Sequence, residues 1–127
     1  MTFPELLAEV QKLKREEQRA QTEESLEIVV SKDGLDLLNE VLTGYFGPPL
    51  KSKGHAPSRD ANRRAKPYGG IRRDQTMYSR SDTVHSEYAF LWPWGNGTRI
   101  TVKILQVQSI ASTGKLKDFF RKIFDRK

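Results

Sequence analysis

Six cations fall within fifteen residues of the chain: Arg59, Arg63, Arg64, Lys66, Arg72 and Arg73, with Tyr68 and the pair Gly69-Gly70 between them. Guanidinium groups fork onto phosphate oxygens. A tyrosine ring offers a flat face for stacking. A glycine pair lets the backbone approach an anion, and turned backbone amides can form an anion-binding nest. The chemistry that suits this cluster is recognition of a polyanion, nucleic acid above all. A basic loop that contacts a protein, or has no fixed partner, shares the same composition.

A second group lies in "EYAFLWPWGNGTRITVKI", from Glu87 to Ile104. Tyr88, Phe90, Trp92 and Trp94 recur at every second position, so they share one face of a strand. The Asn96-Gly97 pair marks a hairpin. A two-residue turn sets Trp94 opposite Arg99, Trp92 opposite Thr101 and Phe90 opposite Lys103. The aromatics then share their face with cations, as a stacking platform for bases would require, and Ala89, Leu91, Ile100, Val102 and Ile104 form the core. A three-residue loop, Gly95-Asn96-Gly97, instead sets Trp92 opposite Ile100 and Phe90 opposite Val102, which makes the aromatics core. A one-residue slip exchanges the two arrangements. If only one sheet face is covered, burial of the aromatics at about 1.5–3 kcal/mol per large side chain favours the three-residue loop. The functional weight then rests on Arg99 and Lys103, which extend the basic surface onto the sheet.

Catalytic patterns fare less well. His85-Ser86-Glu87 matches H-x-E, but a zinc deaminase also needs a P-C-x-x-C partner, and the chain has no cysteine. Two histidines with scattered carboxylates suggest no metal site. Neither a G-x-S-x-G elbow nor a phosphate-binding G-x-x-x-x-G-K-[ST] loop occurs. Glu5, Glu9, Glu16 and Glu17 fall on a polar helix surface and read as solvent groups. The remaining enzyme arrangement would place His85 and Glu87 near Arg72 or Arg73. No catalytic residue, metal or cofactor is expected.

The elements that must position these groups follow from periodicity. Thr2 and Glu5 form a capping box around Pro4, and Leu6, Leu7, Val10 and Leu13 recur at helical spacing. Beyond Leu13, "KREEQRAQTEE" carries only Ala20 as an apolar residue and reads as a solvated helix or a linker. Leu26, Ile28 and Val30 mark a strand, after which Ser31 caps a helix with Leu35, Leu38, Val41, Leu42, Tyr45 and Phe46 on its buried stripe. Gly47 followed by Pro48-Pro49 ends it. Residues 48–74 show neither period and read as a flexible basic loop. "QTMYSRS" is a strand, the hairpin follows, and Ser112 or Thr113 caps a last helix with Leu116, Phe119, Phe120, Ile123 and Phe124 on one side.

The expected fold is α+β: one domain over 1–127, with a small, mostly antiparallel sheet of about four strands, helices packed on one face, and the order α-β-α-loop-β-β-β-α. The net charge of +6 is uneven. Residues 1–46 hold five Lys and Arg against ten Asp and Glu, whereas residues 47–82 hold nine against three. Such asymmetry suits a polyanionic partner, or pairing between the halves. The apolar run from Tyr88 to Trp94 is far short of the ~20 residues of a membrane span, and no targeting segment is apparent, so a soluble cytoplasmic protein is expected. The functional expectation is a small non-enzymatic module that binds nucleic acid through Arg59, Arg63, Arg64, Lys66, Tyr68, Arg72, Arg73, Arg99 and Lys103. The alternative is an adaptor between proteins whose basic loop orders on a partner.

Overall fold

The computed structural model describes residues 1–108. Its elements are α1 (Phe3–Lys12), β1 (Glu17–Gln21), β2 (Ser25–Ser31), α2 (Leu35–Phe46), α3 (Arg59–Ala65), β3 (Thr76–Ser81), β4 (His85–Pro93) and β5 (Arg99–Gln108), with short 3-10 turns at Lys32–Gly34 and Lys66–Tyr68. The five strands form one antiparallel sheet in the order β1-β2-β5-β4-β3. The α+β class is as the periodicity predicts. The last helix, with its stripe from Leu116 to Phe124 and the cations Lys115, Lys117, Arg121 and Lys122, lies outside the described residues.

Local signals explain most of the boundaries. The Thr2 hydroxyl accepts from the Glu5 amide, and the Glu5 carboxylate accepts from the Thr2 amide, which closes the capping box of α1. Gly47 ends α2 with φ of 82°, a conformation that favours glycine. Ser31 does not cap α2: a 3-10 turn intervenes, and Gly34 occupies the cap position without a side-chain bond. The polar stretch after α1 is neither helix nor linker. It pairs with β2 as the edge strand β1, every residue of it exposed. An edge strand needs only backbone partners, so its charged, bulged sequence carries no apolar period to announce it.

The main core lies between the sheet and the pair α1 and α2. Phe3, Leu6, Leu7 and Val10 of α1, with Leu38 and Leu42 of α2, pack on Leu26, Ile28, Val30, Tyr78, Ala89, Leu91, Ile100, Val102 and Ile104. The other sheet face holds a second cluster. Met77, Tyr88, Phe90 and Leu105 are buried beneath Ala61 and Ala65 of α3 and Ile71, with Tyr68, Trp92 and Val107 packed at the margin. Helices therefore cover both faces of the sheet rather than one.

The second cover decides the hairpin register. Trp92 pairs with Thr101, Phe90 with Lys103 and Tyr88 with Leu105. This is the register of the two-residue turn, reached through a longer loop: the Gly97 amide donates to the Trp94 carbonyl at 2.9 Å, Gly97 takes φ of 72°, and the Trp94 amide donates to the Arg99 carbonyl at 2.8 Å. The three-residue register favoured by one-sided burial is not adopted. The premise of a single covered face fails, because α3 lets Tyr88 and Phe90 be buried on the side opposite Ala89 and Leu91.

The segment 48–74 is thus not without regular structure. Ser58 caps α3, its hydroxyl accepting from the Ala61 amide at 3.1 Å. Ala61 and Ala65, four apart, both have zero exposure against the sheet. Seven residues are too few for a stable isolated helix, so packing holds it. At the base of the excursion, Lys51 pairs through its backbone with Met77. Its side chain is only 3% exposed, and its ammonium donates to the carbonyls of Arg73 and Gln75. Burial pushes the Lys51 pKa below the usual lysine value. Among the described residues, no helix is long and apolar enough to cross a membrane.

Lys51→Met removes the ammonium and leaves the two carbonyls without their donor. It should lower unfolding stability by about 1–3 kcal/mol in urea titrations at neutral pH; an unchanged midpoint would contradict the clamp. The unfolded chain binds the lysine proton more tightly than the folded one does. The stability of the wild type relative to the variant should therefore rise with pH from the lowered value towards the ordinary value of 10.5.

Candidate nucleic-acid interface

The second sheet face carries the aromatic and basic groups together. β4 and β5 alternate their side chains, so Tyr88, Phe90 and Trp92 share this face with Thr101, Lys103 and Leu105. Phe90 is fully buried, and the Trp92 ring stacks on it at 5.5 Å between centroids and 19° between planes. Tyr68, on the turn after α3, packs against Tyr88 at 5.8 Å and Phe90 at 5.9 Å. Trp92 and Tyr68 remain half-buried, and between them opens a cleft of about 380 Å³ lined also by Gly69, Gly70, Arg72 and Gln75.

The glycine pair does not form the expected anion nest. Gly69 and Gly70 have φ of 104° and 82°, and their amides donate back to the carbonyls of Lys66 at 3.4 Å and Ala65 at 3.0 Å. This is the Schellman closure of the preceding helical turn. The glycines redirect the chain and leave bare backbone along the cleft, but both amides are used internally. Arg72, at the cleft rim, is exposed, with Asp74 at 3.9 Å. A surface pair at that distance holds the guanidinium only weakly.

Beyond Trp92 the same face continues to Trp94, also half-buried. Its indole Nε1 donates to the Thr101 hydroxyl at 2.9 Å, and the guanidinium groups of Arg19 and Arg99 each lie 5.6 Å from its ring centre. Glu16 approaches Arg99 at 3.9 Å. Lys103 is half-buried, set opposite Glu27 on one side and Phe90 on the other. Glu17 likewise lies 3.5 Å from Arg19 Nε; surface pairs at these distances hold a guanidinium only weakly, and a cation–π contact orders it at about 0.5–1 kcal/mol when exposed.

On the other side of Tyr68, Arg63 and Arg64 border a smaller hollow with Ser86 and Tyr88. Both bond to Asp60: Arg63 through one carboxylate oxygen, Arg64 through the other at 3.0 Å. The hydrogen bond from Arg64 leads the causes that hold the Asp60 carboxyl below its ordinary pKa. The pairing therefore persists at neutral pH and is lost only as pH falls through that lowered value. Arg59 and Lys66 are exposed at the two ends of α3, and Arg73 is exposed in the following loop, where its carbonyl takes the Lys51 ammonium.

The structure thus gathers Tyr68 and Arg72 into one cleft and places Arg99 and Lys103 on the same sheet face. Arg63 and Arg64 flank Tyr68, whereas Arg59, Lys66 and Arg73 line neither hollow. The expected site includes neither Arg19 nor Gln75, and includes Trp92 and Trp94 only under the two-residue register. The two tryptophans were legible through the two-residue register; Arg19 and Gln75 left no local signal.

His85 and Glu87 belong to the opposite face. The buried Glu87 carboxylate accepts from the Tyr45 hydroxyl of α2 and from Gln106 Nε2 at 2.6 Å. Burial, then that bond to Glu87, pushes the Tyr45 hydroxyl pKa far up. Arg72 is across the sheet, so the imagined site of His85, Glu87 and Arg72 is not assembled. Among the described residues, no group of three or more His, Asp or Glu side chains could hold a metal ion. No protein-family model, no curated protein and no solved structure matches this chain.

Proposed function

We propose that this chain is a small non-enzymatic module that binds nucleic acid across its second sheet face. The observation that carries the proposal is the set of half-buried rings Tyr68, Trp92 and Trp94, with Arg72 lining the cleft of the first two and Arg99 and Arg19 over the ring of the third. Rings alone would suit many apolar ligands, and cations alone any polyanion. Interleaved at strand and turn spacing, they suit a ligand that alternates flat bases with phosphates. Phosphate contacts from Arg72, Arg99 and Lys103 supply most of the affinity, and the exposed Arg59, Lys66 and Arg73 add a diffuse field that draws the polyanion in.

Binding of a labelled twelve-nucleotide single strand, followed by fluorescence anisotropy, should weaken steeply between 50 and 200 mM salt. Three engaged cations correspond to a slope of about −2 in log K against log salt. The double variant Arg72→Ala with Arg99→Ala should flatten that slope by about 1.4. Affinity that does not change with salt would sink the proposal.

Asp60 acts in the opposite sense. Asp60→Asn removes the opposing charge from Arg63 and from Arg64, which keeps its bond to the Ser81 hydroxyl, and should raise affinity for the same strand about two- to fivefold at 50 mM salt, in line with a modest gain per surface charge. Unchanged or weaker binding would mean that these arginines take no part.

A further inference from the structure

Resting on the nucleic-acid reading, we infer that the cleft between Tyr68 and Trp92 is a subsite for one unpaired base, with Gln75 reading its edge and Arg72 holding the adjoining phosphate. The protein then selects single strands over duplex.

Three features converge there. First, Trp92 has one ring face on Phe90 at 5.5 Å, and the ring also lines the cleft. A fixed indole with an accessible side is what an unstacked base seeks, and a paired base within a duplex has no free face to offer. Second, the cleft volume of about 380 Å³ falls at the small end of ligand sites, which run from roughly 300 to 1,000 Å³. Third, Gln75 is only 6% exposed, yet half of its amide is unspent. Its Oε1 accepts from the Arg72 amide at 2.8 Å, while its Nε2 has no partner among the described residues. No fully buried side-chain nitrogen or oxygen there lacks a partner. The Nε2 must therefore reach open space, and the open space Gln75 borders is this cleft.

With its oxygen accepting from the Arg72 amide, the Gln75 side chain meets the cleft through its Nε2 donor. That donor suits an acceptor on the edge of a base, a carbonyl of thymine or uracil or a ring nitrogen of adenine. A strand without a base there leaves the donor unpaired, which costs more than the hydrogen bond alone suggests. The same turn that commits the Gln75 oxygen also places Arg72 at the rim, so base and phosphate would be read by neighbouring groups of one loop.

The test uses the full chain, its variants Trp92→Ala, Trp92→Phe and Gln75→Glu, and four probes: labelled dT12, a labelled abasic strand of twelve units, a twelve-base-pair duplex, and free thymidine monophosphate. The wild type should bind dT12 more tightly than either the abasic strand or duplex, and far more tightly than the mononucleotide. Trp92→Ala should weaken dT12 binding about five- to hundredfold with duplex binding nearly unchanged, and Trp92→Phe should recover most of the loss. Gln75→Glu keeps the acceptor for the Arg72 amide and removes the donor, so the preference for dT12 over the abasic strand should shrink. Equal losses for dT12 and duplex, or an unaltered preference in Gln75→Glu, would overturn the subsite while leaving salt-dependent binding intact. Mononucleotide binding as tight as that of dT12 would overturn the assignment to a single strand. Failure of every probe to bind would refute the nucleic-acid reading itself.

Discussion

The pairing of Trp92 with Thr101 sets the rest of the structure. Side chains alternate along a strand, so this one offset sends Ala89, Leu91, Ile100, Val102 and Ile104 to one face and Tyr88, Phe90 and Trp92 to the other. Both faces are then apolar, and a sheet with two apolar faces needs two covers. α1 and α2 supply the larger one. The smaller is assembled from α3, the turn at Tyr68 and Ile71, and is tied down at its base by the buried Lys51. Without the second cover, large aromatic groups would lie in water, and a one-residue slip would win.

The smaller cover ends short. α3 spans seven residues, and its two buried alanines sit over Tyr88 and Phe90. Farther along, both tryptophans remain half-buried: Trp92 packs on Phe90 at the edge of the cover, and Trp94, just past the end of β4, has arginines over its ring. The register that demands the cover thus also creates the margin where that cover stops, and the candidate site is that margin. Its groups come from β1, β4, β5 and the turn after α3, so they meet only once both faces have packed. This is also why the polar network of Tyr45, Glu87 and Gln106 stays separate: the sheet stands between it and the margin.

How much of this was legible depended on the kind of signal each element carried. The capping box at Thr2 and Glu5, the apolar stripe of α2, the glycine stop at Gly47 and the alternation of β2, β4 and β5 are local patterns, and the structure repeats them. β1 has no apolar residue on its sheet faces except Ala20, and backbone pairing alone makes it a strand. α3 signals its packing with alanine at 61 and 65, the smallest apolar stripe a helix can show, inside a run of charge. With α3 barely announced in the sequence, only one sheet face reads as covered, and burial then favours the register that the chain does not adopt. The basic residues were visible as a composition, but their grouping was not. Arg72 reaches the cleft and Arg73 does not, a distinction made by a Schellman turn and by the bond from the Arg72 amide to the Gln75 side-chain oxygen, which no spacing rule anticipates.

The central claim is that the polyanion meets the tryptophan margin. The chain has two tryptophans, so two indole N–H resonances report on it without ambiguity. In a titration of nitrogen-15-labelled protein with dT12 at low salt, both indole signals and the amides of Gly69 to Gln75 should shift together with one saturating curve. Shifts confined to the opposite face, around Tyr45, Glu87 and Gln106, with both indole signals unmoved, would contradict it.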